Sequence, residues 1–553
     1  MTQRFPKLFL LLLTVLLILN LVQAAFTELI YDEAYYWYYA QNLDWGYFDH
    51  PSMVALMIKI SSVFFNGELG VRFMSCLLSV GTYLLLWELV NHPKKKEYVI
   101  HFFLLVFSMT LMNAYGFFTL PDTPLLFFTA LFLLLYKRFL ASPSVWVTLL
   151  LGLTMAALMY SKYHAALVIL FVFLSNIKLA AQWQAWLAVG VALLCYTPHF
   201  LWLFEHDFVS IRYHLYERPN QAYSFEKFTL GYIVNLVAIF GLLFYWAYLS
   251  LIKSKETDTF SKALRYLIYG VIIFFFISSF NRRVQTQWII IISIPMAIIA
   301  FRHLIEDAKS RKWMYRIGIV SALLLLYARA WLMYQPLLPI LYEAHGNKAW
   351  VANLHKQAGD TPIVFENSYR QSPMYEFYTG KPTFSLNNAF YRKNQYSIDG
   401  SEERIRGKKV LYVSKYRKSG DVQFPDQENT IYYGIFMDNF NSYRKLQSIV
   451  EKRDGGDTWE LKVYNPYSYD IPLDSLDYSL AYTDDYKKVR ETMPLRTQPA
   501  HPEVKLLKSK DTVFYNFQLP LPQKVENPGY FRVGIAKKGL LPGLNGIPTK
   551  LKP

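Results

Sequence analysis

Long apolar blocks recur through the first 335 residues of the chain and then stop. A helix that crosses a bilayer needs roughly 20 apolar residues, and most of the blocks have about that length. The pattern therefore predicts an α-helical polytopic membrane domain over residues 1–335 with about eleven transmembrane helices. The predicted spans are 8–26, 71–90, 98–115, 123–140, 145–160, 164–180, 184–204, 229–252, 264–280, 285–301 and 317–335.

The chain becomes polar after the proline-containing segment Tyr334–Pro339, which ends the membrane pattern. Residues 336–420 mix helical and strand patterns and predict an α/β unit, with helices at 349–358 and 372–378 and strands at 362–366 and 409–414. Residues 421–553 alternate apolar and polar positions between turn residues and predict a β-rich module, with strands at 458–464, 512–519 and 529–535.

Composition and charge narrow the class of protein. Apolar residues make up 53% of the chain and aromatic residues 18%, which indicates an integral membrane protein. Lysine and arginine cluster in every second predicted loop, so the positive-inside rule predicts a cytoplasmic N-terminus and an extracytoplasmic C-terminal region. The net charge of +16 then reflects topology and contact with anionic membrane lipids, rather than binding to nucleic acid.

Acidic residues gather where predicted spans meet the extracytoplasmic face. Asp32 and Glu33 follow the first span, Asp49 and His50 close the next loop, and Asp122 begins a later span. Carboxylates at a bilayer edge are costly, so we expect Asp32, Glu33 and Asp122 to form a catalytic group. The tyrosines and tryptophans between Tyr35 and Tyr47 are expected to form an interfacial aromatic belt.

Basic residues on the same predicted face supply the complementary charge. Lys162 lies near membrane depth, where an uncompensated ammonium group would be expensive, so it is expected to hold an anion. Arg218, Arg282 and Arg283 occupy later loops, and guanidinium groups match phosphate oxygens bidentately. Acids beside such a cationic pocket suit a lipid-linked phosphate as leaving group, with a nucleophile that loses a proton.

These segments resemble the polytopic GT-C glycosyltransferases. The resemblance is carried by YDEAYYWYYAQNLDWGYFDHPSMVALMI from Tyr31, ELGVRF at Glu68–Phe73, LPDTPLLFF at Leu120–Phe128 and SKYHAAL at Ser161–Leu167. Within that group the chain is most similar to the bacterial branch related to protein O-mannosyltransferases and to lipid A aminoarabinose transferases. The similarity covers about residues 5–300.

The resemblance implies an inverting transfer of a sugar from a polyprenyl-phosphate donor to a lipid, glycan or protein acceptor. It places the enzyme in the bacterial cytoplasmic (inner) membrane, with transfer on the extracytoplasmic face and with no cofactor required. Asp32 matches the acid that acts as general base, and His50 stands where the family has a phosphate-binding lysine. The residues expected to bind the donor phosphate are His50, Lys162, Arg218, Arg282 and Arg283.

Some relatives bind zinc through an acid in this loop and a later histidine, so a divalent metal is an alternative for this site. The corresponding residues here are Asp49 and either His214 or His206. Two ligands make a poor zinc site, because zinc takes four.

Two other classes of function compete with a transferase. A transporter or flippase for a polyprenyl-linked or anionic glycan would favour acids in the middle of spans and an inverted repeat, and the acids here lie at span ends. A non-catalytic assembly factor would use the C-terminal region as a binding module. Release of free polyprenyl phosphate from a labelled donor distinguishes the transferase from both.

Overall fold

A computed structural model describes residues 5–255, 257–453 and 457–551. The chain divides into a helical unit, which runs through Pro219 and resumes at Tyr223–Gly346, and a second unit made of Asn220–Ala222 and the chain from Asn347 onward. The domain boundaries expected at residues 335 and 420 stay predictions, and their outermost residues 1–4 and 552–553 lie outside the described residues.

The helical unit is built from helices of unequal length. They are α1 (Lys7–Phe26), α2 (Tyr31–Gln41), α3 (Met53–Phe64), α4 (Gly67–Leu89), α5 (Val99–Phe107), α6 (Thr110–Ala114), α7 (Asp122–Ala141), α8 (Val145–Ser161), α9 (Ala165–Ser175), α10 (Trp183–Glu205), α11 (Val209–Arg212), α12 (Gly231–Ala238), α13 (Phe244–Lys253), α14 (Thr259–Ser278), α15 (Ser293–Glu306) and α16 (Ala308–Met333).

Six of these helices, α1, α4, α7, α10, α14 and α16, are long and apolar enough to cross a membrane. A seventh span forms if Glu226–Ala238 and Gly241–Lys253, which meet at a bend of 92°, count as one. The chain is therefore an integral membrane protein, but the predicted number of eleven spans is not confirmed for the described residues. Apolar blocks had suggested spans at 98–115 and 285–301, yet the helix breaks after Phe107 in the first and begins only at Ser293 in the second.

The spans pack into one apolar core. Helix α4 lies against α1, α3 and α7, and α8 lies between α7 and α10. Side chains such as Trp87, Phe102, Leu133 and Phe301 are almost completely buried in this core. Between the predicted spans 8–26 and 71–90, where a loop is expected, the structure forms α2 and α3.

The second unit begins with helix α17 (Asn347–Ala358) and a mixed sheet crossed by helix α18 (Gln371–Thr379). Its strands are β1 (Ile363–Glu366), β2 (Thr383–Leu386), β3 (Val410–Ser414), β4 (Val422–Pro425) and β5 (Ile431–Met437), in the order β2-β1-β3-β5-β4. Strands β2, β1 and β3 are parallel, and β5 is antiparallel to both β3 and β4. The sheet continues to Met437, beyond the expected boundary at residue 420.

The remaining strands form two four-stranded antiparallel sheets and a short pair, in the orders β10-β9-β14-β15, β11-β13-β7-β6 and β12-β8. They are β6 (Gln447–Lys452), β7 (Thr458–Tyr464), β8 (Ile471–Pro472), β9 (Leu476–Thr483), β10 (Val489–Pro494), β11 (Gln498–Pro499), β12 (Leu506–Leu507), β13 (Thr512–Gln518), β14 (Tyr530–Lys537) and β15 (Thr549–Lys550). Inward residues such as Leu461, Leu480 and Val533 build their core. The helices and strands predicted after residue 348 are confirmed, with ends that differ by a few residues.

Candidate active site

Adjacent carboxylates in the first turn of α2 have different surroundings. Glu33 is completely buried, whereas Asp32 is only partly buried. Consecutive helical side chains point about 100° apart, so neighbours in sequence need not share a cavity. The two acids therefore have to be assigned separately.

Glu33 is saturated by hydrogen bonds. Its Oε1 accepts from Nε of Arg72 (2.7 Å) and from the backbone N–H of Thr119 (2.8 Å). Its Oε2 accepts from Nη2 of Arg72 (2.5 Å) and from the backbone N–H of Ile30 (3.2 Å). Arg72 is itself fully buried on α4, and its remaining N–H groups reach backbone carbonyls that precede α2. This pair fixes the start of α2 and leaves Glu33 no lone pair for a substrate.

Asp32 faces two phenols instead. It interacts electrostatically with Tyr115 and with Tyr342. Burial first, and then nearby carboxylates that include Asp32, raise the pKa of Tyr342 to about 12. Tyr115 also interacts with Asp122, so both acids lie near one buried phenol.

Asp122 and Lys162 form a buried ion pair. Nζ of Lys162 donates to Oδ1 of Asp122 at 2.6 Å, and both side chains are at most 6% exposed. Asp122 begins α7 and Lys162 caps the end of α8. An ammonium group has three N–H donors, and Asp122 is the only acceptor found for it among the described residues. Two donors of Lys162 therefore remain for a ligand.

His50 lies close to this pair and is neutral. Burial is the largest cause that lowers the pKa of His50 to about 3. The positive charges of Lys162 and Arg218 lower it further, whereas the carboxylate of Asp49 opposes them. Nδ1 of His50 is buried and has no hydrogen-bond partner among the described residues. The ring can exchange one hydrogen bond with a ligand but cannot act as a cation near neutral pH.

Two arginines approach the same region without a carboxylate to neutralise them. Arg218 lies over the indole of Trp288 at 4.9 Å and donates to Oε1 of Gln285 at 2.6 Å. Arg282 donates to the carbonyl oxygen of His214 at 3.2 Å, and burial together with the neighbouring Arg218 lowers its pKa. Neither arginine forms an ion pair within the described part of the chain. Adjacent uncompensated guanidinium groups of this kind favour an anionic ligand.

Arg283 differs from these two. Its side chain is exposed, and no hydrogen bond or ion pair joins it to any described residue. The structure therefore brings together His50, Lys162, Arg218 and Arg282 from the expected phosphate-binding set. We refer to these four residues with Asp32 and Asp122 as the polar cluster.

Asp49 and His214 do lie together, but not as metal ligands. Nε2 of His214 donates to the backbone oxygen of Asp49 at 2.7 Å, so that nitrogen carries a proton. The carboxylate of Asp49 accepts from the hydroxyl of Tyr39 at 2.7 Å. Among the residues described, no group of three or more His, Cys, Asp or Glu is arranged to hold a metal ion. This donor set does not fit a resident zinc ion.

The loop that carries Asp49 and His50 is anchored by aromatic packing. The rings of Tyr39 and Tyr47 stack at 4.2 Å, and the hydroxyl of Ser210 donates to the carbonyl of Tyr47. The indole N–H of Trp202 on α10 donates to Asp44. The expectation of an interfacial belt is wrong for Tyr35, Tyr36, Tyr38, Tyr39 and Tyr47, each of which is at most 6% exposed. Helix α2, which carries four of these tyrosines, packs against α3.

Two buried arginines were missed in the sequence. Arg72 lies within a predicted span, and so does Arg329 on α16, which bonds to the side chains of Asn20 and Asn113. Each joins three segments of the helical unit at the end where the polar cluster lies. The sequence did contain a signal for these two arginines, because an ionisable residue inside a membrane span needs a partner. Arg72 pairs with Glu33, which the sequence does mark, but the partners of Arg329 are neutral amides and a carbonyl, which leave no such signal.

Comparison with known proteins adds evidence from sequence. Residues 49–202 match the family described as dolichyl-phosphate-mannose-protein mannosyltransferase. A curated relative, the lipid A galacturonosyltransferase RgtD of Rhizobium johnstonii, is 25% identical over 391 residues, which cover 66% of this chain and 79% of the relative.

Solved structures extend the comparison to the fold. ArnT from Cupriavidus metallidurans in the apo state superposes with a TM-score of 0.55 at 12% identity, over 73% of this chain and 92% of that one. The same protein bound to undecaprenyl phosphate superposes with a TM-score of 0.55 at 13% identity, over 77% of this chain and 97% of that one. The chain is therefore similar over part of its length to the protein mannosyltransferase family and to a lipid A galacturonosyltransferase, and it shares the fold of ArnT.

Proposed function

We propose that this enzyme transfers a sugar from a polyprenyl-phosphate donor to an extracytoplasmic acceptor, with inversion at the anomeric carbon. The observation that carries the proposal is the polar cluster, in which a partly buried carboxylate lies at the same end of the helical unit as uncompensated cations. A related structure was solved with undecaprenyl phosphate bound, which supports a donor of that class.

Asp32 is the general base in this proposal. Glu33 accepts four hydrogen bonds and Asp122 is paired with Lys162, so neither is poised to accept a proton from a substrate. Asp32 is more exposed than either. It takes the proton of the acceptor as the acceptor attacks the anomeric carbon on the side opposite the phosphate, which inverts the configuration. Glu33 and Asp122 are then positioning residues rather than catalytic ones.

The cations of the polar cluster stabilise the departing phosphate. Lys162 offers two N–H donors, and Arg218 and Arg282 offer guanidinium donors that no carboxylate occupies. Their charge acts on the oxygen that becomes negative as the glycosidic bond breaks, and such stabilisation is a large part of transfer catalysis. His50 adds a neutral hydrogen bond, and no step passes through a metal ion. A phosphate contact for Arg283 stays a prediction.

The prenyl chain of the donor would lie in lipid beside the spans, while the polar cluster opens on the extracytoplasmic face of a bacterial cytoplasmic membrane. In this orientation the N-terminus is cytoplasmic and the region after Gly346 is extracytoplasmic, as the distribution of basic loops predicts. The acceptor is a lipid, glycan or protein. The name of the curated relative makes lipid A the first acceptor to test.

The experiment uses full-length protein in lipid nanodiscs with a radiolabelled undecaprenyl-phosphate sugar and lipid A. We expect Asp32→Asn to reduce transfer by about 10²–10⁴-fold, the usual contribution of a general base, while donor binding is retained. Glu226→Gln, at an exposed acid of the same unit, is the matched control and should keep full activity. Full turnover by Asp32→Asn would remove Asp32 from the reaction.

The same assay tests the competing class of function. Transfer releases free polyprenyl phosphate, whereas a transporter or flippase moves the intact donor across the bilayer and releases none. Appearance of the labelled donor on the opposite leaflet without free polyprenyl phosphate would overturn the proposal.

A further inference from the structure

A repeated pattern follows the three parallel strands of the second unit. Strand β1 is followed by Tyr369-Arg370, β2 by Tyr391-Arg392 and β3 by Tyr416-Arg417. Because parallel strands end at the same edge of a sheet, these three dipeptides lie side by side. In open α/β sheets, ligands bind in the crevice outside the carboxyl ends of the strands.

The three loops converge on one buried side chain. Tyr432 of β5 is 5% exposed, and its hydroxyl accepts from Nε2 of Gln371 at the start of α18. Asp426, Tyr416, Glu428 and Tyr391 all interact with it electrostatically, in that order of strength. Residues from all three loops therefore surround a common point at this edge, which we call the carboxyl-edge site.

Amide and carboxyl groups make the floor of the carboxyl-edge site rigid. Nδ2 of Asn388 donates to Oε1 of Glu366 at 2.6 Å, and Nδ2 of Asn367 donates to Oδ1 of Asn388 at 2.8 Å. Burial raises the pKa of Glu366, which also interacts with Arg417. Across the first two loops, the guanidinium of Arg392 lies over the ring of Tyr369 at 4.9 Å.

Unused polar atoms and exposed rings complete the carboxyl-edge site. Nε of Arg417 and Oε1 of Gln427 are buried and have no hydrogen-bond partner among the described residues. Gln427 belongs to the turn after β4, which ends at the same edge because β4 and β3 are both antiparallel to β5. Two large aromatic side chains are exposed beside them, Tyr416 at 58% and Phe390 at 48%.

We propose that the carboxyl-edge site binds a saccharide that carries phosphate or carboxylate groups. Exposed rings suit the apolar face of a sugar, and the unpartnered Oε1 of Gln427 is an acceptor of the kind that bonds its hydroxyls. The segments 367–370, 387–393, 415–421 and 426–430, which follow β1, β2, β3 and β4, contain six basic and three acidic residues. This excess of positive charge favours a negative ligand. A nucleotide fits less well, because the turn Asn367–Arg370 has no glycine to let the backbone approach a phosphate.

One part of this inference rests on the proposed function, namely that the second unit recognises the glycan part of the acceptor. Binding of the saccharide at the carboxyl-edge site does not depend on sugar transfer. Asp32→Asn protein should therefore bind the saccharide with unchanged affinity, so a failure of the carboxyl-edge site and a failure of the transferase mechanism give different results.

The test measures binding of a bis-phosphorylated glucosamine disaccharide without acyl chains to the full chain in nanodiscs of neutral lipid. We expect Arg417→Ala to weaken binding by about ten-fold or more, because a hydrogen bond to a charged group is lost. Arg417→Lys should retain part of the affinity. Lys408→Ala, which removes the same charge at the opposite edge of the sheet, is the matched control and should bind as the parent protein does.

Hydrogen exchange locates the ligand. Protection by the disaccharide should appear in peptides that contain residues 387–393 and 415–418. The dephosphorylated disaccharide, inorganic phosphate and ATP are the comparison probes, and each should bind more weakly. Equal binding of the neutral disaccharide, tighter binding of ATP, protection confined to other peptides, or an unchanged affinity in a folded Arg417→Ala protein would each overturn the proposal.

Discussion

Replacement of Glu33 by glutamine tests the buried pair that fixes the start of α2. The carboxylate of Glu33 accepts hydrogen bonds from Nε and Nη2 of Arg72, from Thr119 and from Ile30. Only one of the two terminal atoms of glutamine accepts, so two of these donors lose their acceptor. The guanidinium of Arg72 also loses its charge partner in a region with no exposed surface.

The expected cost follows from these losses. Each buried donor left without an acceptor costs about 1–3 kcal/mol. Breaking a buried ion pair by removal of one partner costs about 3–5 kcal/mol, which already includes the unpaired donors. We therefore expect Glu33→Gln to lower the free energy of unfolding of the helical unit by about 3–5 kcal/mol, a large share of a typical stability of about 5–15 kcal/mol.

Denaturant titration in detergent, followed by tryptophan fluorescence, measures the change, and Glu226→Gln serves as the isosteric control at an exposed site. A double-mutant cycle with Arg72→Met adds a second readout, because the two positions should show a coupling energy of about 0.5–3 kcal/mol. Hydrogen exchange should report faster opening of α2. Equal unfolding midpoints for Glu33→Gln and the parent protein, together with full activity, would refute the assignment of Glu33 as a positioning residue.

Two further predictions concern ion pairs in each unit. Lys162→Met is expected to reduce transfer by about 10²–10³-fold. Adding Asp122→Asn to this variant should restore folded protein, judged by size-exclusion chromatography, but should not restore activity. Near-normal transfer by Lys162→Met would contradict a contact between Lys162 and the phosphate. Burial alone would raise the pKa of Glu402, but Arg444 and hydrogen bonds to the carboxylate outweigh burial and lower it. The ionised carboxylate of Glu402 therefore stabilises the folded state above the pKa that it has in the unfolded chain. This stabilisation disappears as the pH falls through the pKa of the folded state. Glu402→Gln should therefore destabilise the second unit by about 3 kcal/mol at pH 7 and by progressively less below pH ~4.5, as measured by hydrogen exchange; a pH-independent difference would contradict this origin.

Much of the candidate site could be anticipated because strongly ionisable residues near a bilayer are conspicuous in a sequence. Asp32, Asp122 and Lys162 stand at the ends of apolar blocks, and the structure does bring them to one end of the helical unit. The sequence could not separate the roles of Asp32 and Glu33. That distinction depends on Arg72 and Thr119, which approach from other helices and saturate only one of the two carboxylates.

The charge state of His50 could not be predicted from the sequence either. An unperturbed histidine titrates near pH 6.5, so its place in the loop left a cationic role open. Burial and the nearby positive charges keep it neutral, and both depend on which elements pack around the loop. The burial of the aromatic residues that follow Asp32 also depends on packing and was not predicted. An amphipathic ring suits a membrane interface as well as a buried cluster, so the sequence does not distinguish the two.

The sequence by itself determined that this protein is a polytopic membrane protein with a polar C-terminal region, because hydrophobic block length and the position of charges are properties of the linear chain. It did not determine the number of spans, since a block of apolar residues can be a short or broken helix buried inside the protein. Only the tertiary structure decided which acid is saturated by hydrogen bonds, which of the described cations lack a carboxylate, and that three Tyr-Arg pairs meet at one sheet edge. Those properties arise from contacts between residues far apart in sequence, and their energies depend on burial that no single segment encodes.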